Sequence, residues 1–141
     1  MLDVDNFKSL NDTYGHIAGD QCLQAAASIL HQNIRVDCDN VGRYGGEEFL
    51  VVLRKTSAET AAKNAEDLRQ KISDAVLEIE KNQKLRLTCT FGVATHKVDE
   101  QSLAAPSTLL IQKADQAMYI GKITGKNCVI QYDEDTPSFS A

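Results

Sequence analysis

The sequence predicts an α/β (α+β) domain whose central mixed sheet carries helices on its faces. Three observations predict it. Apolar residues recur at helical spacing in three separate segments, short alternating apolar runs lie between them, and a Gly-Gly break splits two such runs into a hairpin. The resulting order is β, α, β-hairpin, α, β, α, β, with no internal repeat, and strands interleaved with amphipathic helices bury their apolar faces against one another.

Met1-Leu2 read as the end of a buried strand running into Asp3-Val4-Asp5, and Asn6-Phe7-Lys8 open a short helical turn. After the turn signal Tyr14-Gly15-His16, Ile17, Leu23, Ala26, Ala27, Leu30 and Ile34 predict a helix over 18–34. Val41 to Tyr44 and Phe49 to Leu53 form the hairpin arms around Gly45-Gly46. Ser57 with Thr60 opens a long amphipathic helix with core face Ala58, Ala61, Ala62, Ala65, Leu68, Ile72, Ala75, Val76 and Ile79. Leu85 to Ala94 alternates as a strand with Leu85, Leu87, Cys89 and Phe91 on one face. Pro106-Ser107 starts a helix running to about Lys122 and ending near Gly125, and Asn127 to Tyr132 form the last strand. Within that helix Ile111, Ala114, Ala117 and Met118 share one face, so the Asp115 to Tyr119 segment reads as core packing without chemistry. Asp133 onward loses periodicity, which predicts one domain over 1–132 and a disordered tail over 133–141.

A chain of 141 residues, 43% apolar and 25% charged, suffices for one domain with a real core. A net charge of −5 argues against a nonspecific nucleic-acid binder, so any anionic ligand must be held locally by metal or a few lysines. Cys22, Cys38, Cys89 and Cys128 show no C-x-x-C pairing and read as reduced thiols of a cytoplasmic protein. With no run near 18 apolar residues, no membrane contact is expected of this domain. His31 and His96 lack metal-ligand spacing, and His16 reads as a turn residue.

The most informative string is Gly45-Gly46-Glu47-Glu48-Phe49. Two glycines permit a turn with positive φ and close approach of a ligand to bare backbone, and two carboxylates follow where the turn becomes a strand. At average residue usage such a string arises by chance on the order of once per million positions. Asp3 and Asp5 lie two apart at a strand end, so they emerge on one face. Hard divalent cations take carboxylate and phosphate oxygens. Asp5 taken alone is equally a solvated carboxylate near a helix start or a direct ligand.

The string resembles the signature hairpin of the GGDEF diguanylate cyclase family, in its GGEEF spelling. Leu2 to Asp12, Gly15-His16-Ile17-Ala18-Gly19-Asp20, Thr90 to Ala94, Ala114 to Tyr119, Lys122 and Gly125-Lys126-Asn127 match further family segments in order, spanning residues 2 to 129. The resemblance implies a palm-like, mixed but largely antiparallel sheet flanked by helices, of the kind nucleotide cyclases use, with the start of the domain missing before Met1. It implies condensation of two GTP into cyclic di-GMP with release of two pyrophosphates. The alternative is a weak or inactive GTP- or cyclic di-GMP-binding regulatory module. It implies two Mg²⁺ or Mn²⁺ per active site, held by Asp3, Glu47 and the Val4 carbonyl. Glu47 and Glu48 are the catalytic candidates, with Glu48 open between a further ligand and a group that helps deprotonate the attacking hydroxyl. Asn6, Phe7, Lys8, Lys122 and Lys126 are implied phosphate binders, although the family usually has Arg where Lys126 stands, which removes a bidentate fork. Asn11 and Asp20 are implied guanine readers, and Gly45 and Gly46 the turn where ribose approaches. Implied partners are a second copy of the domain and an upstream sensor or dimerisation module, with membrane anchoring left to the full-length protein. Many relatives carry an inhibitory R-x-x-D motif. Here Asp39 matches its acid, Val36 stands at its basic position, and Arg35 is displaced by one, so Arg35 and Asp39 are candidates for a degenerate site. Arg35 alone reads as a cation at a helix C-terminus.

Overall fold

A computed structural model describes residues 1–79, 83–97 and 107–134. The chain runs β1 (Leu2–Val4), α1 (Phe7–Tyr14), α2 (His16–Gln32), β2 (Asn40–Gly45), β3 (Glu48–Val52), α3 (Ala58–Asp74), β4 (Leu77–Ile79), β5 (Gln83–Leu85), β6 (Cys89–Val93), α4 (Ser107–Thr124) and β7 (Val129–Gln131). Five strands form one sheet in the order β2-β3-β1-β6-β7, antiparallel except for the parallel pair β6/β7. The expected mixed, largely antiparallel sheet flanked by helices is therefore present.

Period-two alternation sorts the strands onto two faces. Leu2, Val4, Phe49, Cys89 and Phe91 join Cys22, Leu23, Ala26 and Leu30 of α2 and Ala65, Leu68 and Ile72 of α3 in the larger core. Leu2, Leu30 and Ile72 are buried completely or nearly so, each contributing about 1.5–3 kcal/mol of transfer free energy. The opposite face meets α4 through Met1, Ala114 and Met118, with Leu50, Ala94 and Ile111 at the margin. α4 lies hard against β6 there. A Cβ built on Gly92 would fall 1.9 Å from the Ala114 carbonyl oxygen, and one on Gly121 2.5 Å from Thr90 Cγ2. Those two glycines let the helix approach its strand closely enough to bring its last turn over β1.

Four local expectations are corrected. The opening helical turn is a full helix, α1, and α2 begins at His16 and ends at Gln32, with Ile17 exposed rather than in the core. α3 ends at Asp74, because Ala75 turns extended and Leu77 and Ile79 pair with Leu85 and Gln83 in a small β4/β5 ribbon. Ala75, Val76 and Ile79 thus lie outside the helix, their apolar content serving period two instead of 3.6. The strand expected over Leu85 to Ala94 breaks between β5 and β6, and each piece joins a different sheet. Of the predicted tail, residues 133 and 134 are described and Glu134 pairs with Lys113 at 2.9 Å, while 135–141 lie outside the described residues, as does Pro106.

Candidate functional site

On the α4 face of the sheet, antiparallel register places Glu48 of β3 opposite Asp3 of β1, and Asp3 opposite Thr90 of β6. This polar row continues the apolar face covered by α4. The β2–β3 turn brings Glu47 alongside, its carbonyl accepting a 3.2 Å hydrogen bond from the Val4 N–H. Only Gly46 of the glycine pair takes a positive φ, +49°, where L side chains are strained; Gly45 ends β2 at an irregularity in the register. Arg43 Nε donates to the Gly46 carbonyl at 2.7 Å and clips the turn.

A cleft of about 520 Å³ opens above this row, within the range of small-molecule sites. Asp3, Val4, Asn6, Phe7 and Lys8 line one side, Glu47 and Glu48 another, and Lys122 and Lys126 the third. Nine residues singled out in the sequence thus meet in one place. α1 begins at its mouth with Asn6 in the left-handed conformation and no side-chain cap, which leaves first-turn N–H groups available to an anion. Lys126 Nζ donates to Asn6 Oδ1 at 2.5 Å across the same mouth.

Lys122 reaches down from the last turn of α4 and bridges the two aspartates. Its ammonium donates to the Asp3 carboxylate, to the Asp3 carbonyl at 3.2 Å and to Asp5 Oδ1 at 2.8 Å. Burial raises the Asp3 carboxyl above its ordinary value, with Lys122 opposing and the charges of Glu47 and Asp5 reinforcing. Glu48 is raised too, by burial and by the charges of Asp3, Asp115 and Glu47. For Lys122, burial works downward, and bonds to Asp3 and Asp5 outweigh it, so the ammonium is held charged.

The site therefore carries excess negative charge on hard oxygen donors, with an ammonium as its resident counter-cation. Among the described residues no three His, Cys, Asp or Glu side chains close a coordination shell by themselves. That donor set suits Mg²⁺, which keeps water and phosphate ligands and needs only one or two carboxylates.

Asp5 is neither of the two things its position suggested. Its side chain is 1% exposed and its carboxylate is saturated by protein donors, so it is neither solvated nor a cleft ligand. Two hydroxyls, an ammonium and a backbone N–H converge on it from β6 and the loop before it and from α4 and the turn after it, which sequence order does not bring together with β1. Asp115, Gln116 and Tyr119, set aside as core packing, line the cleft on the helix face opposite Ala114 and Ala117. Apolar periodicity reveals only the buried face of a helix, so nothing local marked the other.

The two guanine candidates lie apart from this cleft. Asn11 packs under α2, where a Cβ on Gly19 would fall 1.9 Å from Asn11 Oδ1. That oxygen is buried and accepts no hydrogen bond among the described residues. Asp20 is exposed on α2 and lines a second groove with His31 and Arg43.

Arg35 and Asp39 form a clasp. Arg35 Nε and Nη2 meet the two carboxylate oxygens at 2.8 and 2.7 Å, and Nη2 also reaches the Arg54 carbonyl and Thr56 Oγ1. Asp39 also accepts the N–H groups of Arg35 and Arg54, and Arg35 above all holds its carboxyl well below the usual carboxylate range. Arg35 is thus bound to the loop after α2 instead of serving as a free cation at the helix end, and Val36 stands 87% exposed.

A family profile described as "Diguanylate cyclase, GGDEF domain" matches residues 1–128. The chain belongs to the GGDEF diguanylate cyclase domain family. Diguanylate cyclase A of Treponema denticola is 36% identical over 137 residues, covering 97% of this chain and 35% of that protein. Diguanylate cyclase DosC of Escherichia coli K12 is 36% identical over 132 residues, 92% of this chain and 27% of that protein. This chain thus spans roughly a quarter to a third of the length of those two proteins. The GGDEF domain of DgcB from Caulobacter crescentus, solved in complex with c-di-GMP, superposes with a TM-score of 0.83 at 32% identity, covering 92% of this chain and 72% of that one. The active GGEEF domain of a Vibrio cholerae diguanylate cyclase gives 0.81 at 34% identity, covering 95% and 81%.

Proposed function

We propose that this chain is a metal-dependent diguanylate cyclase domain that condenses two GTP into cyclic di-GMP, acting as one half of a face-to-face pair. The observation that carries this reading is the convergence of Asp3, Glu47 and Glu48 with Lys8, Lys122 and Lys126 in one cleft beside an uncapped helix start. In each half-reaction the 3′-hydroxyl oxygen of one GTP bonds to the α-phosphorus of the other as the bond to the β-phosphate bridging oxygen breaks. Pyrophosphate leaves, and the hydroxyl proton passes to a nearby base.

Asp3, Glu47 and the Val4 carbonyl would hold Mg²⁺ or Mn²⁺, which when bound offsets triphosphate charge and acidifies the attacking hydroxyl. Glu48, its carboxyl raised by burial and by the neighbouring acids, is the group this reading assigns to take the hydroxyl proton. Lys8, Lys122 and Lys126 orient the phosphates as point charges, and the α1 N–H groups cradle their oxygens. Asn11 Oδ1, which is buried and accepts no hydrogen bond among the described residues, and the Asp20 carboxylate would take the N–H donors of guanine, which adenine does not match. Each cleft holds one nucleotide, so a second copy of the domain supplies the other. Gly45 and Gly46 keep the turn bare where the ribose approaches. An upstream module that pairs the domains and a cytoplasmic location complete this reading; among the described residues no helix is long and apolar enough to cross a membrane.

Incubation with GTP and Mg²⁺, with and without chelator, tests it. Metal-dependent cyclic di-GMP whose specific activity rises with protein concentration is expected. Tight GTP binding without product would leave a regulatory module instead, and activity independent of dilution from a demonstrated monomer would overturn the pairing.

A further inference from the structure

Asp5 lies beside the cleft without lining it, and its bonding is complete. Oδ1 accepts from Thr90 Oγ1 at 2.7 Å and Lys122 Nζ at 2.8 Å; Oδ2 accepts from Thr88 Oγ1 at 2.8 Å and the Asn127 N–H at 3.0 Å. A carboxylate offers about four lone-pair sites, and all four are used. An amide could serve at most half of these donors and would turn an NH₂ toward the rest.

Lys122 has three donors and spends them on the two aspartates, which differ. The Asp3 side chain is 19% exposed and faces the cleft; that of Asp5 is 1% exposed. A ligand entering the cleft can draw Asp3 away from the ammonium but cannot reach Asp5. The same carboxylate holds the Asn127 N–H, in a turn where Lys126 and Asn127 both take positive φ, 62° and 45°. That strained turn carries Lys126 across the cleft mouth to Asn6.

We propose that Asp5 is a positioning residue that anchors Lys122 against β1 and steadies the Lys126–Asn127 turn, so both ammonium groups stay aimed at the nucleotide phosphates when Asp3 is taken by other ligands. This rests on the phosphate-binding reading above. It explains why an acid stands two residues beyond Asp3 without touching the cleft. It also explains why Thr88 and Thr90 turn their hydroxyls to the same point: they neutralise the demands of a buried carboxylate so that its charge can hold a cation instead of requiring one.

The test compares guanosine with GTP supplied as its α,β-methylene analogue, whose α–β link cannot break, in Mg²⁺ so that Asp3 is engaged, by calorimetry on wild type, Asp5→Asn, Lys122→Met and the double variant. Expected is a tenfold or greater loss of GTP affinity in Asp5→Asn with guanosine changed less than twofold, and less than a threefold further loss when Asp5→Asn is added to Lys122→Met. Equal loss for both ligands, or full additivity with Lys122→Met, overturns the proposal. Should Asp5→Asn not fold, Thr88→Val removes one donor and keeps the charge; a smaller GTP-selective loss supports the anchor, and a ligand-independent loss sinks it. Ligand-free ¹⁵N spectra of lysine ammonium groups in an Asp3→Ala background, where Asp5 is the remaining carboxylate on Lys122, give a second readout: the slow-exchanging Lys122 signal is lost on adding Asp5→Asn if the anchor is real and persists if it is not. If wild-type protein binds GTP no better than guanosine, the phosphate-binding reading fails, while this spectrum still decides whether Asp5 anchors Lys122.

Discussion

Asp3 and Glu48 sit directly opposite each other on antiparallel β1 and β3, two carboxylates in one cross-strand pair. Like charges in that position destabilise a sheet by a few tenths to about 1 kcal/mol. A strand pair optimised for folding would not contain them. Burial and the charges of Asp3, Asp115 and Glu47 all hold the Glu48 carboxyl above its ordinary value, so stability is given up to concentrate negative charge.

Glu48→Gln should therefore stabilise the fold by about 0.5 kcal/mol at neutral pH, because it removes repulsion and keeps the shape. Urea denaturation with an unchanged slope checks it. A loss of stability would show that Glu48 is compensated by contacts other than those described.

Asp3→Asn and Glu47→Gln should each cut cyclic di-GMP formation by about a hundredfold or more, since both remove oxygen charge that the transition state needs. Melting temperatures should stay within a few degrees, as partly exposed cleft acids add little to folding. Substantial turnover at saturating Mg²⁺ in either variant contradicts the assignment.

Gly92→Ala should destabilise severely, by about 3 kcal/mol or more, because its new Cβ would meet the α4 backbone, at 1.9 Å from the Ala114 carbonyl oxygen and 2.4 Å from the Met118 nitrogen. Backbone cannot rotate out of the way as a side chain can. The same change should weaken GTP binding in whatever fraction folds, since α4 carries Lys122. Gly45→Ala is the contrast: its Cβ meets nothing within 4 Å among the described residues, so thermal stability should hardly move.

Arg35→Ala should destabilise the fold at pH 7, because Asp39 is left buried with two backbone donors and no counter-charge. The folded-state Asp39 carboxyl lies below its unfolded value of about 3.9. Its stabilisation is thus present above that value and lost as pH falls through the folded one. Acid titration of stability should show a steep limb below about pH 4 in the wild type and a shallower one in Arg35→Ala. Since the guanidinium is occupied by Asp39, Arg54 and Thr56 and Val36 offers no donor, cyclic di-GMP should bind weakly here; tight binding abolished by Arg35→Ala would prove this wrong.

Asp20→Ala should narrow the preference for GTP over ATP without changing affinity for the triphosphate itself, and Asn11→Ala should do the same. Competition binding with both nucleotides reads the ratio. Unchanged discrimination in Asp20→Ala removes it from base reading.

What the amino-acid string determined by itself was local: the hairpin around Gly45-Gly46, the amphipathic face of α3 through Ile72, and the motif acids and lysines, whose chemistry is written in residue type and short spacing. Where short-range patterns conflicted, local reading erred. Ala75 to Ile79 satisfies helical and strand periodicity alike, and only pairing of Leu77 with Leu85 chose the strand. The bonds that organise the site were invisible for a different reason. Asp5 meets Thr88, Thr90, Lys122 and Asn127 only after β1 inserts between β3 and β6 and the glycines at 92 and 121 let α4 settle on the sheet. A carboxylate's partners across more than eighty positions are set by strand order and helix approach, which depend on the whole core closing at once.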